Sequence, residues 1–253
     1  MTREISERFQ AVEGESHGGA LYLFQCTAEE LRSLSFPYLH PAELAFWDSL
    51  KYEGRRNTYL AGRYAAKRAL LFSMEDCSEA VRANRILIDR GVLGQPVVQG
   101  AGSMQVSITH SGTIAAALAF PEARPMGIDV ELIREDRLRL LDEQMTPGET
   151  CMLREFPHPY LSMLTLCWTA KEALSKVIRT GITTPLHIFE LQGIEVRDGL
   201  YFSRYRNFYQ YETVSFLCAP LVCSITYPKG TAIHASSIKR KIIDSITFNL
   251  DHI

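Results

Sequence analysis

The sequence predicts a mixed α+β fold built from two similar halves. Three patterns in the first half return in the same order about a hundred residues later: a helix start, a helix with a central lysine, and a strand, turn and strand. Repetition at a nearly fixed spacing indicates a duplicated structural unit. We therefore expect a pseudo-dimer of two α+β halves, with the active site in the cleft between them.

Two of the repeated patterns are helical. Pro41 in HPAELAFWDSL and Pro147 in TPGETCMLREF lie 106 residues apart, and each precedes a glutamate by two positions. Proline in the first turn and an acid near the positive end of the helix dipole both favour a helix start, so a helix is predicted to begin at each proline. AAKRAL at Lys67 and TAKEAL at Lys171 lie 104 residues apart in helical patterns. Because such short matches also arise by chance, duplication is favoured by the agreement of all three patterns.

The third pattern is a strand, a turn and a strand. VSITHSGTIAAALAF is predicted to turn at Ser111, and VSFLCAPLVCSITY turns at Ala219, 108 residues later. The join between the halves is predicted in PEARP, where two prolines and charged residues interrupt strand-like runs. The predicted domains are an N-terminal half, residues 1–120, and a C-terminal half, residues 121–253.

Composition excludes several classes of protein. The 253 residues are 46% hydrophobic, which suffices for one large core or two ordinary ones. A formal net charge of -2 gives no sign of a nucleic-acid surface. No uncharged apolar run approaches the roughly 18 residues of a membrane span, and the opening MTREISERFQ is too charged for a secretory signal. A cytoplasmic protein that binds neither nucleic acid nor membrane is expected.

The cysteines form no CxxC pair and have no histidine at metal-ligand spacing. Core packing of reduced thiols is therefore favoured over metal or redox chemistry. The six are Cys26, Cys77, Cys151, Cys167, Cys218 and Cys223.

The segment MGIDVEL is predicted to be a strand with two carboxylates on one face. Apolar residues alternate with Gly127, Asp129 and Glu131, so the two acids point the same way. At roughly 6 to 7 Å they would repel by about 2 to 3 kcal/mol at an effective dielectric near 20. A hard cation between them would reverse the sign of that interaction. The alternative is a strand whose polar face meets water.

Three further segments carry charged or titratable residues on predicted elements. LSMLTLCWTAKEALSKVI has helical spacing and places Glu172 and Lys176 four apart on one face, where the alternative is an ordinary surface ion pair. In VSITHSG, His110 stands at a strand end, where the alternative is a local hydrogen-bonding role. KYEGRRNTYLAGRYAAKRALL predicts a helix with Arg56 and Arg63, alongside Lys67, and the alternative is a solvated basic face.

In order and spacing these segments resemble the phosphopantetheinyl transferases of the surfactin-synthetase-activating type. The resemblance covers roughly residues 40 to 190, and GIDVE followed some forty residues later by WTAKEALSK is its most specific part. The motifs are RRNTYLAGR, GQP at Gly94 to Pro96, SITHSG, GIDVE at Gly127 to Glu131, and WTAKEALSK at Trp168 to Lys176.

The resemblance implies a fold, a reaction and a metal. The family is a pseudo-dimer with coenzyme A bound between its halves, and Asp129, Glu131 and Glu172 would jointly hold one Mg²⁺. A serine hydroxyl of an apo acyl or peptidyl carrier protein attacks the β-phosphorus of coenzyme A, and 3′,5′-adenosine bisphosphate leaves. Glu172 would take the serine proton, and Lys176 would stabilise or protonate the leaving phosphate.

The resemblance also implies contacts with coenzyme A. Thr109 and His110 would contact the nucleotide's phosphates, and Arg56 and Arg63 match first-half arginines that hold coenzyme A in relatives. Gln95 departs from the family, because many relatives have a lysine before the proline that corresponds to Pro96. The absence of that lysine's positive charge would weaken coenzyme A binding.

Two other functions stay open at this stage. One is a non-catalytic relative that binds carrier proteins or coenzyme A, and the other is a Mg²⁺-dependent phosphohydrolase acting on nucleotides. The carrier protein served and the docking surface are not predicted by the sequence. A monomer is expected, because a duplicated chain supplies both halves of its own cleft.

Overall fold

The computed structural model describes residues 2–9, 18–74, 82–180 and 184–246. Its contacts divide the chain into two compact units, Met1–Pro125 and Met126–Ile253. Both units contain helices and strands, so the predicted α+β class is confirmed. Within the described residues, no helix is both long enough and apolar enough to cross a membrane.

The first unit has an antiparallel sheet in the order β1-β2-β6-β5 and a separate hairpin, β3-β4. Its strands are β1 Arg3–Arg8, β2 Ala20–Gln25, β3 Leu87–Arg90, β4 Pro96–Gln99, β5 Met104–Ser111 and β6 Ile114–Pro121. Its α-helices are α1 Ala28–Ser35, α2 Pro41–Ser49 and α3 Glu53–Ser73, and a 3-10 helix covers Phe36–Tyr38.

The second unit has an antiparallel sheet in the order β7-β11-β10-β9-β8. Its strands are β7 Gly127–Leu132, β8 Leu191–Arg197, β9 Leu200–Tyr205, β10 Tyr211–Cys218 and β11 Leu221–Pro228. Its α-helices are α4 Leu138–Asp142, α5 Pro147–Arg154, α6 Tyr160–Ile178 and α7 Ala235–Ser245, and 3-10 helices cover Glu135–Arg137 and Leu186–Phe189.

Three strands and one long helix recur in both units with the same pairing. β2 pairs with β6 and β6 with β5, just as β7 pairs with β11 and β11 with β10. The registers agree, because Ala20 lies opposite Ala119 and Gly127 lies opposite Thr226, each 107 residues further on. Helix α3 packs on the first set of strands and α6 on the second. Helices α2 and α5 begin at Pro41 and Pro147, as the sequence predicts.

Each long helix carries a buried lysine that pairs with a buried glutamate. Lys67 Nζ lies 2.7 Å from Glu43 Oε2, and Lys171 Nζ lies 2.6 Å from Glu149 Oε2. At most 1% of any of these four side chains is exposed, so a solvated face is wrong for Lys67. The sequence pattern marks both lysines as part of a repeat but does not show that they are buried, because their carboxylate partners belong to other helices.

The two glutamates also join their helices to a strand. Glu43 Oε1 accepts a hydrogen bond from the backbone amide of Ile88 in β3, at 3.0 Å. Glu149 Oε1 accepts one from the amide of Leu191 in β8, at 2.8 Å. Each glutamate is also the third residue of its helix and caps the helix start, which satisfies amides that would otherwise be unpaired.

The described cysteines are free thiols in varied surroundings. Cys167 and Cys223 are buried, whereas Cys151 is exposed on α5. Core packing therefore describes the first two but not Cys151. Cys77 lies outside the described residues.

Candidate active site

Strand β7 runs directly beneath helix α6. A Cβ atom at Gly127 would lie 2.0 Å from the backbone oxygen of Ala173, so only glycine allows this approach. The face of β7 that carries Asp129 is therefore covered by the helix, and Asp129 is only 7% exposed. A polar face open to water, the alternative for this strand, is wrong at Asp129.

Asp129 and Lys176 form an ion pair between the strand and the helix. Lys176 Nζ lies 2.7 Å from Asp129 Oδ1 and donates a second hydrogen bond, of 2.9 Å, to the backbone oxygen of Ile128. The Lys176 side chain is 26% exposed, so the ion pair is not fully buried. The lysine is thus paired with a carboxylate of β7, and this pairing is not visible in the helical spacing of Glu172 and Lys176.

Glu131, two residues further along β7, pairs with an arginine that the sequence analysis missed. Arg137 Nη1 donates to Glu131 Oε1 at 2.7 Å. The Arg137 guanidinium also lies 5.7 Å from the centre of the Trp168 ring on α6. Arg137 ends the 3-10 helix Glu135–Arg137, an element too short to give a periodic signal, so no sequence pattern pointed to it.

Glu172 of α6 completes the group of acids. Its Oε1 atom is buried and has no hydrogen-bond partner. Burial raises the pKa of this carboxyl, and the negative charge of Asp129 and, more weakly, of Glu131 raises it further. The positive charges of Lys176 and Arg137 act in the opposite direction on the same pKa. The three predicted acids therefore lie within electrostatic range of one another.

The acids fit a divalent ion by their chemistry but are not arranged around one. In the described parts of the chain, no group of three or more histidine, cysteine, aspartate or glutamate side chains is placed to hold a metal. Asp129 and Glu131 are instead paired with cations. Carboxylate oxygens are the ligands that Mg²⁺ prefers, and the buried Glu172 Oε1 lacks a donor. The three carboxylates can thus supply oxygen ligands to a divalent ion once Lys176 releases Asp129 and Arg137 releases Glu131.

The two predicted arginines of the first unit have local partners. Arg56 donates to the backbone oxygens of Leu50 at 2.7 Å and Asp48 at 3.0 Å, which closes the turn between α2 and α3. The Arg63 guanidinium lies 4.6 Å from the centre of the Tyr59 ring, and its Nε is 3.6 Å from Glu43 Oε1. Arg56 therefore has a structural role, whatever else it binds.

The other predicted ligand contacts lie on the β3–β4 hairpin and on β5. Gln95 Oε1 accepts from the amide of Leu93 at 3.0 Å, and its amide nitrogen lies 2.3 Å from where a Cβ at Gly91 would stand. Gln95 is thus folded into its own turn. Thr109 is buried and His110 is exposed, as adjacent residues on opposite faces of a strand.

The part of the chain that contains the three acids matches a known family model. No curated protein matches the chain. Asp129, Glu131, Arg137, Glu172 and Lys176 all lie within residues 125–225, and this stretch matches the family model of the 4′-phosphopantetheinyl transferase superfamily.

Proposed function

We propose that the protein transfers the 4′-phosphopantetheine moiety of coenzyme A to a serine of an apo acyl or peptidyl carrier protein, with Mg²⁺ and with release of 3′,5′-adenosine bisphosphate. One observation carries the proposal. Acids from β7 and an acid and a lysine from α6 come together inside the stretch that matches the transferase superfamily.

The residues suit the bond changes that this reaction needs. The serine oxygen forms a bond to the β-phosphorus while the bond from that phosphorus to the leaving adenosine bisphosphate breaks. Glu172 is proposed to accept the serine proton, and a raised pKa makes a carboxylate a stronger base. Lys176 is proposed to hold positive charge beside the leaving phosphate and to donate a proton or hydrogen bond to it.

A divalent ion is proposed to bind Asp129, Glu131 and Glu172. When bound, it would offset the negative charge of the pyrophosphate and of the leaving group. Before it binds, Lys176 and Arg137 offset part of the charge of the same acids. The chain's own residues thus keep a cluster of like charges folded in the absence of the ion.

Coenzyme A binding is proposed to use residues of the first unit. The Arg63 side chain is 13% exposed beside its ion pair with Glu43, and His110 is exposed at the end of β5. Arg56, Thr109 and Gln95 are proposed contacts on the family resemblance alone. Gln95 brings no positive charge, so weaker coenzyme A binding than in lysine-bearing relatives is expected.

We further propose that the two units are copies of one ancestral unit, as in the surfactin-synthetase-activating type. The matched sheet register and the matched buried ion pairs support this. In this proposal the first unit serves coenzyme A binding and the second holds the metal and the catalytic residues. Cytoplasmic location and a monomeric state remain predictions.

The proposal is tested by incubating the protein with coenzyme A and Mg²⁺, with and without apo carrier proteins. A panel of fatty-acid, polyketide and peptide carriers is compared with the same carriers in which the acceptor serine is alanine. A serine-dependent mass gain of one phosphopantetheine supports transfer. Release of adenosine bisphosphate without a carrier supports the hydrolase instead, and coenzyme A binding without turnover supports a binding protein.

A further inference from the structure

We infer that Arg137 competes with the divalent ion for Glu131 and so sets the affinity of the site for metal. This inference rests on the proposed metal site. Arg137 is a positioning residue in this account, because it acts on the carboxylate and not on the reacting atoms.

The contact between Arg137 and Glu131 is close and partly sheltered. The Nη1 and Oε1 atoms are 2.7 Å apart, and the side chains are 25% and 21% exposed. Solvent screens a partly buried pair less than an exposed one. A carboxylate oxygen that accepts a guanidinium hydrogen bond must give up that bond to coordinate a metal through the same lone pair. Metal binding through this oxygen of Glu131 therefore competes with the guanidinium.

The Arg137 guanidinium can move towards the Trp168 ring, whereas Lys176 can stay in place when a metal binds. The guanidinium already lies 5.7 Å from the Trp168 ring centre, and an aromatic face holds a cation that has left its carboxylate. Lys176 is anchored differently, because its ammonium also donates to the backbone oxygen of Ile128. It can keep that bond while Asp129 turns to another ligand.

Arg137 lies on a much shorter element than the acids of the site. Asp129 and Glu131 lie on strand β7, which is paired with β11, and Glu172 lies on the 19-residue helix α6. Arg137 is the last residue of the three-residue helix Glu135–Arg137. A side chain at the end of such an element can change rotamer without moving a strand or a long helix.

The test measures metal affinity, not turnover. Mn²⁺ serves as a paramagnetic probe, and the free ion is counted by electron paramagnetic resonance. Arg137→Gln removes the charge that pairs with Glu131 and acts on Glu172, so the dissociation constant is expected to fall by about threefold to tenfold, the range of a partly exposed ion pair. Arg134→Gln is the matched control, because Arg134 pairs with the exposed Asp136 at 2.6 Å and its loss should change the constant little.

A second readout follows the guanidinium itself. The chain has two tryptophans, Trp47 and Trp168, so Trp47→Phe leaves Trp168 as the sole reporter. Adding Mn²⁺ or Mg²⁺ should change Trp168 emission in this background, and Arg137→Gln should abolish most of that change. Mg²⁺ checks that the change is not paramagnetic quenching.

The outcomes separate this inference from the proposed function. If the parent protein binds the ion and Arg137→Gln binds it equally or more weakly, competition by Arg137 is wrong while the metal site stands. If the parent protein does not bind the ion, or if Asp129→Asn binds it as tightly as the parent does, the metal site and the inference both fail. Modification of the carrier protein is measured in a separate assay, so the result for metal affinity does not decide whether phosphopantetheine is transferred.

Discussion

The two units place very different side chains at corresponding positions. In register, Tyr22 and Phe24 of β2 stand where Asp129 and Glu131 stand in β7, since each pair faces the matching strand at the same place. In the first unit these positions hold packed rings, with the Tyr22 and Phe24 centroids 6.0 Å apart. Both rings belong to the hydrophobic core of that unit.

The helices differ in the same way. Lys67 and Lys171 correspond, and the next residue is Arg68 in α3 but Glu172 in α6. The Arg68 guanidinium lies 4.8 Å from the Tyr22 ring centre, whereas Glu172 faces the charge of Asp129. The same backbone thus accepts aromatic rings with an arginine, or three carboxylates. Because the fold does not need the acids and their mutual repulsion opposes it, their presence in the second unit indicates a function.

The buried ion pairs show a smaller difference between the units. Lys67 donates to the backbone oxygens of Ala83 at 2.8 Å and Ile86 at 2.6 Å, and Arg63 lies near the same glutamate. Lys171 has one such carbonyl, that of Gln144, at 3.3 Å. The negative charge of Glu149 is therefore offset mainly by Lys171, whereas that of Glu43 is offset by both Lys67 and Arg63.

The largest expected effects come from removing either of these lysines. Lys171→Met should lower the free energy of unfolding by about 3 to 5 kcal/mol, because it leaves Glu149 buried without its cation. Lys67→Met should lower it by a similar amount, because Arg63 remains 3.6 Å from Glu43 but the backbone oxygens of Ala83 and Ile86 lose their donor. Urea unfolding followed by tryptophan fluorescence measures both.

Arg139→Met is the matched control for these lysines. Its partner Glu143 is on the surface and its own side chain is 91% exposed, so a loss below about 0.5 kcal/mol is expected. A loss below about 1 kcal/mol for Lys67→Met or Lys171→Met would show that the buried ion pair of that unit is not needed for its stability.

The next prediction compares Asp129 of β7 with Tyr22, which occupies the corresponding position in β2, to separate a role in activity from a role in stability. On the proposed function, Asp129→Asn should reduce carrier modification by about 10² to 10³-fold, because it weakens the binding of the ion that would stabilise transition-state charge. Unfolding free energy should change by less than about 1 kcal/mol, because the amide oxygen still accepts from Lys176.

Tyr22→Phe in the first unit gives the opposite pattern. It removes the hydroxyl hydrogen bond to Glu4 and should lower unfolding free energy by about 1 kcal/mol while carrier modification stays unchanged. Initial rates and urea titrations on the same preparations measure both variants. Full activity in Asp129→Asn would mean that the acids of the second unit have been given the wrong role.

A further prediction tests the close approach of β7 to α6. Gly127→Ala should lower unfolding free energy by about 1 to 3 kcal/mol, because the new methyl group meets the Ala173 backbone oxygen. Ala20, at the corresponding place in β2, already carries this methyl group. Gly193→Ala is the control, since open space surrounds that position in β8 and little change is expected. A Gly127→Ala protein as stable as the parent would show that the strand can shift freely.

Much of the local structure could be predicted from the sequence. The helices that start at Pro41 and Pro147 are present, and so are the hairpin that turns after Ser111 and the strand that carries Asp129 and Glu131. These features depend on residues close together in the chain, where proline, capping acids and alternation act directly. The family match to residues 125–225 covers all the predicted acids.

The partners of the predicted residues could not be found in the same way. Lys176 pairs with Asp129 at a separation of 47 residues, and Lys171 pairs with Glu149 at 22. No periodicity connects positions so far apart. Arg137 is only six residues from Glu131, yet the chain between them leaves β7 and enters a 3-10 helix, so neither strand nor helix spacing relates the two.

The sequence by itself determined that helices begin at Pro41 and Pro147 and that Asp129 and Glu131 share a strand, because these features depend on neighbouring residues. Only the tertiary structure decided that both repeat lysines are buried and that the acids are held by Lys176 and Arg137. Burial and charge pairing depend on which elements pack together, and that packing is set by contacts across the whole unit.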